Sequence, residues 1–270
     1  MKYILKEIGR HIYIYWKFVK NCLIKLMIYR ANFFMSMAVE LSFLFTKLLY
    51  VIVVYNAGCK IKGFTPDQIL LYSGTFIIMS GIHVSLFFFN FSKIQEYVKE
   101  GELDMFITKP VSLQFMVTLR NVDIATAVPN IAAGIICTVM GWRKAQIPFT
   151  AVNFFGYLGF IFTGVIVAYC VTLIPELLCF WTIKGSAVHE LSDALWGMNN
   201  MPMKIYKKWM QNIGTFLFPL FLISNNSFLF VIGELDGRAV LWGILSPVIL
   251  IVLVRLVWKK AIQNYTSASS

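Results

Sequence analysis

Ala239 to Trp258 reads AVLWGILSPVILIVLVRLVW, twenty residues with a single charge at Arg255. A bilayer core about 30 Å thick takes roughly 20 apolar residues as α-helix. This stretch alone therefore predicts a transmembrane helix. The whole chain has the same character: of 270 residues, 59% are hydrophobic and 14% charged, and mean hydropathy is +0.72. Soluble domains carry about 25% charged residues, so this chain must present apolar surface to lipid. We read residues 1–270 as one all-α polytopic membrane domain with no room for a separate catalytic domain.

Four more tracts have the length to span: 31–55, 68–91, 111–140 and 149–183. Residues 2–25 differ. Ile4, Ile8, Ile12, Tyr15 and Val19 recur at spacings of three and four, interleaved with Lys6, Arg10, Lys17 and Lys20. That pattern predicts a basic amphipathic helix lying in the interface, over 1–28, rather than a span. No small-residue cleavage site follows a short apolar core there, so it is not read as a cleavable signal. Net charge is +11, with the basic residues gathered at the ends of apolar tracts. Basic cytoplasmic loops explain that placement better than a nucleic-acid partner, and none is expected.

The basic N-terminus and Trp258–Lys260 both belong in the cytoplasm, which makes the number of spans even. One more must lie in 184–237, and two readings are open. Plain hydropathy makes 213–233 the fifth span, leaving Lys184, Lys204, Lys207 and Lys208 cytoplasmic. The other makes about 185–200 a short fifth span, with 202–235 forming outer helices that dip in and return. Pro202 and Pro219 suit the second, since each ends or kinks a helix. Asn225, Asn226 and Ser227 would sit badly against lipid at the midplane.

Chemistry of the chain's own is hard to find. Gly58–Thr65 has glycines at phosphate-loop separation, but Phe64 stands where the lysine must be. His11, His83 and His189 show no ligand spacing, and no nucleophile has an evident histidine partner. Cys22, Cys59, Cys137, Cys170 and Cys179 read as buried thiols. No catalytic residue, bound cofactor or metal is expected, and the chain is not read as an enzyme.

One stretch concentrates charge: KEGELDMFITKPVS, Lys99 to Ser112, has five ionisable residues in eleven positions. The topology places it in the cytoplasm. Gly101 breaks a helix there, Pro110 is placed to open the next one, and Leu103, Met105, Phe106 and Ile107 give a sticky face that suits a docked partner. This stretch resembles the cytoplasmic coupling segment of ABC-2 type permeases, the membrane subunits of bacterial ATP-binding-cassette exporters. Gly101, Leu103, Asp104, Lys109, Pro110 and Val111 carry the match. In order along the chain, Tyr29–Phe33 is similar to the start of the family's first span, Phe180–Trp181 to the stretch before its fifth, and Pro202, Trp209 and Pro219 to the segment between its fifth and sixth.

The resemblance implies six transmembrane helices, a short fifth span at 185–200 and an extracytoplasmic re-entrant segment at 202–235. It implies a permease of the bacterial cytoplasmic membrane, both termini cytoplasmic, pairing with itself or a related permease. Separate ATPase subunits, carrying ATP and Mg, would dock on the N-terminal helix and on 93–109, a segment including Glu96. On that reading Glu100, Glu102 and Asp104 meet basic residues of the ATPase, while Leu103 and Phe106 fill a groove. The exported substrate would be amphipathic: a drug, peptide or lipid.

Charges within spans are costly and point to function. Glu40 and Lys47, seven apart on one face, could line a pathway or a subunit interface, or simply pair within the helices; Asp123 is a third candidate. A stand-alone channel or ion-coupled transporter using these three is the competing function. Arg120 and Asp123 are expected to form a local ion pair, Glu176 and Arg255 to reach headgroups, and Gly159 and Thr163 to permit close helix packing.

Overall fold

The computed structural model describes residues 2–58, 61–182 and 185–265. Cys59, Ile183 and Lys184 lie outside them, as do the side chains of Ile4 and Ile8. All regular structure among the described residues is helical. The chain opens with α1 (Lys2–Ile28) and turns at Tyr29 into α2 (Arg30–Ala57), which ends at Gly58 with φ 61°. Next comes α3 (Pro66–His83), opened by a capping box in which Thr65 and Gln68 satisfy each other's backbone N–H. It continues through a π-helical turn, Val84–Phe88, into α4 (Phe89–Ser92) and α5 (Ile94–Lys99). The run Pro66–Lys99 is 34 residues long, well beyond the expected 68–91. Gly101, with φ 74°, then separates α5 from α6 (Leu103–Ile107).

The third expected span, 111–140, is two helices: α7 (Leu113–Leu119) and α8 (Ile124–Lys144). Polar side chains hold the break. Asp123 Oδ1 accepts from Ala125 N at 2.9 Å and Thr126 N at 3.2 Å, and Asn90 bonds both the N–H and the C=O of Asn121. Backbone groups freed inside a membrane protein need such partners. The remaining elements are α9 (Ala151–Glu176), α10 (Gly185–Gly197), α11 (Lys208–Asn212), α12 (Asn225–Val231) and α13 (Gly237–Gln263).

Among the described residues, five helical runs are long and apolar enough to cross a bilayer: Arg30–Val53, Pro66–Lys99, Ile124–Lys144, Ala151–Phe180 and Gly237–Gln263. Between the fourth and the fifth the chain makes another traverse. His189 pairs with Glu176, Ser192 donates to the Thr172 carbonyl, Trp196 stacks on His83, and Tyr72 donates to the carbonyls of Asn199 and Met201. Lys204 then reaches Glu234 and lies 4.7 Å from the Phe64 ring centroid. Residues 185–205 thus run antiparallel to α9, from the Gly101 end of the bundle to the Phe64 end. The α-helical part is only 13 residues, about 20 Å, and short 3-10 turns supply the rest.

Residues 213–233 do not form one span. From α11 the chain enters a π-turn, Ile213–Leu217, where the Thr215 carbonyl accepts from Trp242 Nε1 at 2.8 Å. It reverses around Pro219 and climbs back as α12. Asn225, Asn226 and Ser227 are buried in protein, and Asn225 Oδ1 accepts from Met203 N at 2.8 Å. The polarity that would be costly against lipid is the polarity that ties the hairpin to residues 199–203.

Sequence gives the tightest contact a simple explanation. Helices α3 and α8 run antiparallel with glycines seven residues apart on each: Gly74 and Gly81 face Gly134 and Gly141. A Cβ at Gly74 would lie 2.5 Å from Thr138 N, one at Gly134 2.7 Å from Ile78 N, and one at Gly141 2.5 Å from Leu71 N. Only hydrogen fits between these backbones. Gly159, expected to serve this purpose, has nothing within 4 Å; on α9 the close approaches are at Gly156, against the Phe230 ring, and Gly164, against the Ile223 carbonyl. We predict that Gly141→Leu destabilises the purified protein by about 1–3 kcal/mol through overpacking, seen as a lower thermal unfolding midpoint in detergent. Gly159→Ala should leave that midpoint unchanged.

Candidate coupling site

At the Gly101 end, several short elements meet. Tyr97 on α5 packs edge-on against Phe106 on α6, centroids 5.2 Å apart. Leu103 and Phe106 are buried in the main core. This corrects the expectation that they fill a groove on another protein: they anchor α6 to this chain. Arg120 Cζ and Lys109 Nζ lie 5.2 and 5.4 Å from the Phe106 ring centroid, so Lys109 is folded onto the anchor. The exposed apolar residues are Met105 and Ile107. Sequence spacing alone could not separate the two pairs, because a five-residue helix buries alternate edges by its tilt.

The acidic residues divide likewise. Glu96 and Glu100 are exposed; Glu102 and Asp104 are half-buried. Asp104 sits beside Tyr265, just past α13, whose phenol is pushed up first by burial and then by that carboxylate. Tyr265 also packs near Phe180, centroids 6.4 Å apart. Pro110 does not open the next helix. It lies in an exposed turn closed by Val111 N donating to the Lys109 carbonyl at 2.8 Å, and α7 starts at Leu113.

Two structures back this loop, and neither was visible from spacing. Phe115 on α7 contacts His11, Tyr15 and Phe18 of α1, and Val122 N donates to Cys22 Sγ at 3.4 Å. Behind α7, Arg255 donates to Gln114 Oε1 at 2.7 Å, Gln114 donates to Tyr169 at 3.0 Å, and Thr118 bonds the same phenol at 3.1 Å. Arg255 is therefore used inside the bundle rather than at headgroups. Glu176 is buried as well, 2.7 Å from His189. The N-terminal helix, α6, α7 and the end of α13 thus converge on one end of the molecule.

The three residues considered for a pathway are not brought together as a relay. Asp123 caps α8 and forms no ion pair with Arg120, whose guanidinium lies over Phe106. Glu40 is buried and accepts from Asn130 Nδ2 at 2.5 Å. Lys47 lies 5.8 Å from the Phe76 ring centroid. Glu40 and Lys47 do share a cleft of about 460 Å³ between α2 and the π-turn, with α4 and the start of α8. A second cleft of about 280 Å³, reaching Asn200 and Met201, also meets Lys47.

The sequence matches the ABC-2 family transporter protein family over residues 41–269. Comparison with curated proteins and with solved structures returned no match. The matched range covers every long helix from within α2 onward, together with the anchored loop at 93–109. An integral membrane protein of five long apolar helices, matched over most of its length, the chain belongs to the ABC-2 transporter family, whose members are permease subunits of ABC transporters and associate with ABC ATPases.

Proposed function

We propose that this chain is one half of the membrane pathway of an ATP-driven exporter in the bacterial cytoplasmic membrane. It pairs with a second copy or a related permease, and residues 93–109 and α1 form the face on which the ATPase docks. ATP and Mg are held by the ATPase. The observation that carries this reading is the build of α6. Its inner edge, Leu103 and Phe106, is locked into the core. Its outer edge presents Met105 and Ile107, with Glu96 and Glu100 exposed nearby. A loop that only kept charge out of lipid would need no such anchor.

The anchor gives a push on α6 somewhere to go. Phe106 bears on Tyr97, and Tyr97 belongs to the same helical run as Phe91 and Phe87, which pack on Tyr169 of α9. The π-turn at Val84–Phe88 interrupts regular hydrogen bonding in that run, and such turns often mark functional positions. Closure of the ATPases would move this end as a rigid body, provided ATP binds one arrangement better than the other. The clefts at Glu40 and Lys47 offer charge beside Phe43, Phe76 and Phe88, which favours an amphipathic substrate. On this reading both termini face the cytoplasm and 202–235 is re-entrant from outside.

Two measurements check this. Reversing the exposed charges together, Glu96→Lys with Glu100→Lys, should weaken co-purification of the ATPase by about tenfold, from lost attraction plus new repulsion. Export should fall with it, while membrane expression stays normal; unchanged export would refute the docking face. For topology, a cysteine at Lys207 in a background without other cysteines should react with a membrane-impermeant maleimide added to intact cells. Labelling only after lysis would place 202–235 inside.

A further inference from the structure

The turn between α1 and α2 encloses a cavity of about 300 Å³. Lys25 enters it from α1, Asn32 from α2, and Lys93 from the junction of α4 and α5. Neither lysine forms an ion pair among the described residues. Asp123 also borders the cavity, but its Oδ1 is bonded to two backbone N–H groups of α8. The space is therefore lined by two lysines without an ion pair among the described residues, the asparagines Asn32 and Asn121, and one carboxylate whose Oδ1 caps α8.

Position fixes what meets it. An amphipathic helix joined by one residue to a spanning helix puts their turn at headgroup depth, whichever side of the membrane that is. The cavity does not end in polar walls. Its lining residues Ser36 and Phe89 also line the cleft of about 460 Å³ that continues along α2 past Met35, Val39 and Phe88. A basic chamber at headgroup depth leading into a cleft walled mainly by apolar side chains, with Glu40 and Lys47 further along it, has the shape and polarity of one phospholipid.

We propose that this site binds an anionic phospholipid, its phosphate between Lys25 and Lys93 and one acyl chain in the cleft along α2. The chemistry recognised is a phosphate oxyanion, which a free phosphate shares; the apolar continuation selects the lipid. The proposal rests on membrane insertion, not on ATP-driven export, so export can fail while the site stands.

The test uses full-length protein purified in a neutral detergent. Native mass spectrometry and thermal unfolding are followed while phosphatidylglycerol, phosphatidylcholine or inorganic phosphate is added. Phosphatidylglycerol should bind one to a chain and raise the unfolding midpoint, and phosphatidylcholine should bind at least tenfold more weakly. Inorganic phosphate should give no shift at the same concentration. Lys25→Gln with Lys93→Gln should weaken phosphatidylglycerol binding about tenfold, whereas Lys25→Arg with Lys93→Arg should retain it. Lys17→Gln with Lys20→Gln, on the same helix but off the cavity, should also retain it. Equal binding of both lipids, an equal shift with inorganic phosphate, or an equal loss in the Lys17 and Lys20 variant would each overturn the assignment. Should the double Gln variant not fold, retention by the Arg pair together with discrimination between the two lipids decides for the site, and absence of that discrimination decides against it.

Discussion

The rest of the fold depends on the backbone contact between α3 and α8. Side-chain packing in a bilayer has no hydrophobic drive behind it, because lipid tails are as apolar as leucine. Close approach of two backbones supplies dispersion contact that lipid cannot match. The seven-residue spacing of Gly74 with Gly81, and of Gly134 with Gly141, puts hydrogen atoms along one whole seam. Thr75 and Tyr157 bond across from that pair to α9 at 2.9 Å. Tyr72, on the same helix, bonds the carbonyls at 199 and 201 and meets Ser224 at 3.2 Å. The central helix thus sets the depth at which the 185–205 traverse and the hairpin of α11 and α12 can sit.

That dependence explains why α3 continues to Lys99. The glycine seam holds the half of this run nearer Phe64, and the other half continues past the seam to the Gly101 end of the bundle. The π-turn at Val84–Phe88 marks where the helix of the seam gives way to α4 and α5. Leu103 and Phe106 then clamp the following loop to it. The short helix α6 is best understood as the end of this run folded back on itself at Gly101, where a left-handed φ suits glycine.

Much of this was legible in the residues. Length and apolar content specified the five long helices, and Gly101 marked the bend. What could not be read was which side of a short helix faces inward: Leu103 and Phe106 look as available as Met105 and Ile107 until α5, α7 and α13 are in place. The same holds for 111–140, where an apolar run concealed a break because Asn90 satisfies the backbone of Asn121 and Asp123 caps the start of α8. Hydropathy also favoured 213–233 as a span. The polar residues Asn225, Asn226 and Ser227 were the truer signal, since all three are buried in protein and Asn225 and Ser227 find partners at Met203 and Ser224.

The ionisable residues at membrane depth sort by whether they have partners. Glu176 has His189, Arg255 has Gln114, and Glu40 has Asn130. Each pairing joins two helices, so each is accounted for by packing, at a cost that the partner offsets. Lys47 is different: it forms no ion pair among the described residues, and it stands where two clefts meet. What the structure sets beside this cation is the face of Phe76, 5.8 Å from its ring centroid, and the open space of the two clefts, so its charge is met by an aromatic ring and by cleft volume rather than by a carboxylate at bonding distance.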